Sequence, residues 1–175
     1  MKKVIFLFSL FIGLTSFAQS LFDKYEDIDQ VSSVVVTDEM FKLLKEIEPE
    51  SAEAKEDISV LSDLTGLKVF STEDATTANQ IVNDANRYIK DKKMIELMRI
   101  NDKDNNVKFY IVKGDQPHIA KELIMILKSK DPQKPQTVMM LVTGKIDLKK
   151  LSKLNKKVKI IDGKYLKKVE EEQGN

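Results

Sequence analysis

From Met94 onward the chain places its strand-like runs so close together that a sheet is the structure they most directly specify. Met94 to Ile100 and Val107 to Val112 are separated by Asn101-Asp102-Lys103-Asp104-Asn105-Asn106, a polar hairpin turn. Val138 to Thr143 is a further strand, reached through a loop from Ser129 to Gln136 that holds Pro132 and Pro135. Between them, Ile119 to Leu127 reads two ways. Ile119, Ala120, Leu123, Ile124 and Leu127 make a helical face, yet Ile124-Met125-Ile126-Leu127 also suits a buried strand, and periodicity leaves both open. After Gly144, the residues Ile146, Leu148, Leu151, Leu154 and Val158 predict a basic amphipathic helix.

The first half alternates strand and helix. Leu21, Phe22, Tyr25 and Ile28 predict a short amphipathic helix that docks on the body of the domain. Val31 to Thr37 is β-branched and strand-like, and Thr37 or Asp38 can cap a helix whose face is Met40, Phe41, Leu44 and Ile47. Pro49 blocks its continuation, and residues 50–57 are polar and acidic. Ile58, Leu61 and Leu64 suggest a short helix closed by Gly66, then a strand from Leu67 to Phe70. Ser71 and Asp74 fit a capping box. A helix follows in which Ala75, Ala78, Val82, Ala85 and Ile89 form a stripe small enough to lie close on a sheet. Together the halves predict an α+β domain, a largely antiparallel sheet with helices packed on one face.

The N-terminus carries an address. Lys2 and Lys3 precede an apolar run from Val4 to Leu14, and Ser16-Phe17-Ala18 offers small residues before Gln19. This is the layout of a secretory signal peptide over residues 1–18, with one domain over 19–175. The apolar run falls short of the roughly 20 residues of a spanning helix, and a lipoprotein signal would need a cysteine, which the chain lacks. The expected localisation is therefore periplasmic or extracellular, with no transmembrane segment after cleavage. Without cysteine there are no disulfides, thiolate metal sites or thiol nucleophiles, so packing alone must hold an exported domain. Charge is polarised along the chain: residues 19–75 carry a net −10 and residues 76–175 a net +9.

No catalytic constellation emerges. His118, the one histidine, has no partner spacing for a base or metal ligand and reads as a surface or loop residue. Asp102, Asp104 and Asn106 mimic the start of a calcium loop, but Val107 replaces the required glycine and Lys113 the closing glutamate. Glu46, Glu48, Glu50 and Glu53 surround Pro49 and read as a solvated loop. The ten lysines from Lys145 to Lys168 lack interleaved aromatics before Tyr165, which fits nucleic acid poorly. Signatures for nucleotide or acyl chemistry are absent, so no cofactor is expected.

The order of a leader, the LFDKY segment, SVVVTDEMFKLL, the strand run and VTGKIDLKKLSKL resembles the domain-of-unknown-function family numbered 4252, small exported proteins of Bacteroidota. The resemblance implies that Ile119 to Leu127 is a strand paired with Val138 to Thr143. It brings no activity or catalytic motif.

One feature bears on function. Met94, Met98, Met125, Met139 and Met140 fall in the strand-rich half, on strands with no clear polar face. Methionine adapts to varied apolar partners, so these five are candidates for an apolar binding surface. The expected function is a non-catalytic interaction module of the bacterial envelope, with an unidentified envelope protein as partner. The alternative is a carrier of lipid or another small apolar ligand. A deep apolar cavity would favour the carrier and an exposed apolar patch the module.

Overall fold

The computed structural model describes residues 21–49, 51, 58–133 and 135–150. Its strands are β1 (Ser32–Val36), β2 (Leu64–Thr72), β3 (Ile95–Asn101), β4 (Asn105–Lys113), β5 (Ile119–Ser129) and β6 (Thr137–Asp147). They form one six-stranded sheet in the order β1-β2-β6-β5-β4-β3, antiparallel at every junction. Helices α1 (Asp38–Glu46) and α2 (Ala75–Asp91) complete the α+β domain. Ile119 to Leu127 is strand, with Leu127 opposite Val138 and Glu122 opposite Thr143. Its two sides serve two different apolar clusters, which a helix with one buried face could not do.

α2 covers one face of the sheet. Ile81 and Ala85 are fully buried over Phe70, Ile124, Ile126, Met139 and Leu141. The alanine stripe meets the sheet at Ala85, while Ala75 is exposed and the buried line runs through Thr77, Ile81, Asp84 and Ala85. The N-terminal segment closes the same core. It forms a 3-10 turn at Asp23–Tyr25 and sinks Phe22 and Tyr25 completely. Tyr25 donates to Asp84 on α2 at 2.6 Å, and Lys68 on β2 holds Asp23 and Glu26. α1 lies on the opposite face, where Phe41 packs with Leu64, Ile111, Ala120, Leu123 and Ile146.

Several boundaries differ from the sequence reading. β2 starts at Leu64, and Gly66 lies inside it at a register shift instead of closing a helix. Residues 58–61 make one helical turn, and Leu64 leaves it for the core because β6 supplies a partner, Gly144. Ser71 and Thr72 remain in β2, and Asp74 caps α2 by accepting the Thr77 N–H at 2.7 Å. Ile146 belongs to β6, and Asp147 caps the turn that follows by accepting from the backbone of Lys149 and Lys150. Gly144 has φ +122, and a Cβ there would stand 2.6 Å from the Asp63 carbonyl oxygen and the Leu64 Cα. Only glycine lets β6 pass β2 at this point. The leader, the helix predicted past Lys150 and the tail lie outside the described residues.

Candidate functional site

Strand alternation and register decide which side chains share a surface. On the face turned away from α2, the registers of the five strand pairs align residues into continuous rows. One row runs Met98, Phe109, Met125, Met140, Val69, Val34 across all six strands. Beside it run Ile95, Ile111, Leu123, Val142, Leu67 and Val36, and on its other side Ile100, Val107, Leu127 and Val138, then Ser71 and Ser32. Apart from those two serines, the three rows are apolar. At about 4.8 Å per strand this face is roughly 24 Å wide.

The cover over this face is uneven. α1 sets Phe41 on the row of Ile111, Leu123 and Leu67, with Leu44 beside it. Phe109, Met125 and Met140 are half-buried against that cluster. The ends stay exposed, Met98 at 42% and Ile95 at 41% on one side, Val34 at 55% on the other. α1 adds to the exposed apolar area instead of covering it, because Met40 and Leu43 are exposed, as is Ile47 just past its end. Of the predicted helix face, only Phe41 is buried, and Leu44 is half-buried.

The structure thus divides the five methionines proposed from sequence. Met98, Met125 and Met140 share one row of the open face. Met94 and Met139 do not belong to it. Met139 is fully buried and Met94 nearly so, both in the core under α2. The reason is register: Met139 and Met140 are adjacent on β6 and must point to opposite faces. Phe109, Val69 and Val34 complete the row and escaped a search for methionines. Their signal was the β-branched and aromatic content of their strands, which says nothing about which face each occupies.

The remaining candidates resolve into structural roles. The hairpin at Asp102 is fixed by its own carboxylate, whose Oδ1 accepts from the backbone of Asp104 at 2.8 Å and Asn105 at 2.7 Å. Those bonds hold the Asp102 carboxyl below its usual range, and Lys130 donates to its carbonyl. His118 is half-buried, and its carbonyl accepts the Leu148 N–H at 2.9 Å. It lines a cleft of about 110 Å³ with Asp63, Lys145 and Asp147, well below the roughly 300–1,000 Å³ of ligand pockets. A neighbouring shallow depression of about 400 Å³ is lined by Asp115, Gln116, Lys121 and Lys145 among others. Glu46 and Glu48 are exposed, while Glu50 and Glu53 lie outside the described residues, as do the lysines beyond Lys150. No group of three or more His, Asp or Glu among the described residues could hold a metal ion. No helix among them is long and apolar enough to cross a membrane.

The chain matches the family model described as Domain of unknown function (DUF4252) over residues 25–154. No curated protein and no solved structure matches it. Among the described residues the match spans β1 to β6 with α1 and α2, and the chain belongs to this family.

Proposed function

We propose that this member of a family of unknown function is an exported, non-catalytic interaction module that binds a partner protein on the sheet face opposite α2. The observation that carries the reading is the row of Met98, Phe109, Met125, Met140, Val69 and Val34. It is an apolar strip that crosses the whole sheet and is exposed at both ends. Contiguous apolar surface of this kind is costly to leave in water and marks interaction sites. The unbranched methionine side chains let such a strip adapt to a partner's contour. The cleft lined by His118 is small and bordered largely by charged and polar groups, which suits the module better than an apolar carrier. Export is read from residues 1–18, with cleavage after Ala18.

Crosslinking in the intact envelope tests both parts. The parent protein should give a discrete adduct, carry Gln19 as its N-terminus and fractionate with soluble periplasmic or secreted protein. Met98→Gln should fold but lose most of the adduct. Intact Met1 in a membrane pellet would overturn the address, and an undiminished adduct in the variant would overturn the site.

A further inference from the structure

The two edges of the sheet are built differently. β3 carries Glu96 and Arg99, ion-paired at 2.8 Å, and its register slips between Glu96 and Met98. Charge and a bulge are devices that stop another chain from continuing a sheet. β1 has neither. Its residues Ser32, Ser33, Val34, Val35 and Val36 include no charge and no proline, and they pair with β2 without a register shift. Four of the five are exposed. Among the described residues, β2 is its one neighbour in the sheet, so alternate peptide groups of β1 face outward.

The surroundings of this edge are acidic. Between Tyr25 and Phe41 stand Glu26, Asp27, Asp29, Asp38 and Glu39, with no lysine or arginine. Glu26 is engaged by Lys68, and Asp38 and Glu39 share Lys42, whereas Asp27 and Asp29 are exposed immediately before the strand. The sheet order also sets β1 and β2, from the acidic half of the sequence, at one end and β3 to β6, from the basic half, at the other.

We infer that the β1 edge accepts an extended segment of a partner protein, β-branched along its length and flanked by lysine or arginine, which adds a strand beyond β1. Main-chain hydrogen bonds supply the register and the acidic flanks select the charge. A second copy of this chain fits less well. Antiparallel pairing of two β1 edges would bring the Asp27 and Asp29 end of each copy towards the Asp38 and Glu39 end of the other, so acidic flanks would meet at both ends. The inference rests on the reading of the protein as a binding module but uses the backbone of β1 instead of the Met98 strip.

The test uses the purified protein and a labelled peptide, Lys-Lys-Val-Thr-Val-Thr-Val-Lys-Lys. Saturable binding should slow amide exchange across Ser32–Val36. N-methylation of alternate peptide residues, glutamate in place of the terminal lysines, or joint Asp27→Asn and Asp29→Asn should each weaken it by about tenfold or more. Met98→Gln should bind the peptide as the parent does. Equal binding of the N-methylated peptide would overturn the inference, as would a loss of binding in Met98→Gln. It is also overturned if the outward-facing β1 amides, those not bonded to β2, are protected in the protein alone. Protection independent of concentration would assign the edge to another segment of this chain, and protection that rises with dimerisation would assign it to a second copy. Peptide binding without an envelope adduct would count against the sheet face and leave the edge standing.

Discussion

Asp84 ties the N-terminal turn to α2, although no sequence motif singles it out. Its side chain is 6% exposed, accepts from Tyr25 at 2.6 Å and pairs with Lys24 at 2.5 Å and Arg87 at 3.0 Å. Burial pushes its carboxyl pKa up, but the Lys24 ammonium, the Tyr25 hydroxyl and the Arg87 guanidinium more than offset this and hold it below the ordinary value. A carboxyl with a depressed folded pKa stabilises the fold above its unfolded pKa, and that stability is lost as pH falls through the folded one. Asp84→Ala should therefore cost about 1–3 kcal/mol near neutral pH, since it leaves the buried Tyr25 hydroxyl without its acceptor. The gap to the parent should narrow below the usual carboxylate range. Urea melts at several pH values measure both, and a gap that stays constant into strong acid would refute the role of the ionised group.

At the scale of elements, α2 is the clearest product of local sequence. Asp74 caps it, its carboxyl held below the usual range by the Thr77 N–H, and the 17 residues to Asp91 carry one apolar side. Small residues let it approach the sheet, and Ala85 is fully buried at that contact. Ala85→Leu should overpack it and cost about 1–3 kcal/mol, read as a lower melting temperature. An unchanged melt would mean that the helix stands off the sheet. β5 is the opposite case. Apolar residues on both of its sides erase the period that would identify it, and only pairing with β4 and β6 makes it a strand.

At the scale of the whole molecule, the two faces of the sheet give equivalent residues different energetics. Met98→Gln should change stability by no more than about 0.5 kcal/mol, because its side chain is already partly in water. Met139→Gln should cost at least about 1–3 kcal/mol, because it puts an amide without partners into the core under α2. Thermal denaturation of the pair measures the split, and equal losses would place both in one core. The sequence by itself determined the α+β class, the approximate extents of α2, β3, β4 and β6 and the absence of a cysteine framework, since local periodicity, turn residues and composition decide these. Only the tertiary structure decided that three of five methionines share a face, that Phe109, Val69 and Val34 complete their row, and that Gly144 must be glycine. Those facts depend on strand register and on contacts between residues far apart in the chain, such as Gly144 with Leu64, and no local pattern encodes which strand lies beside which.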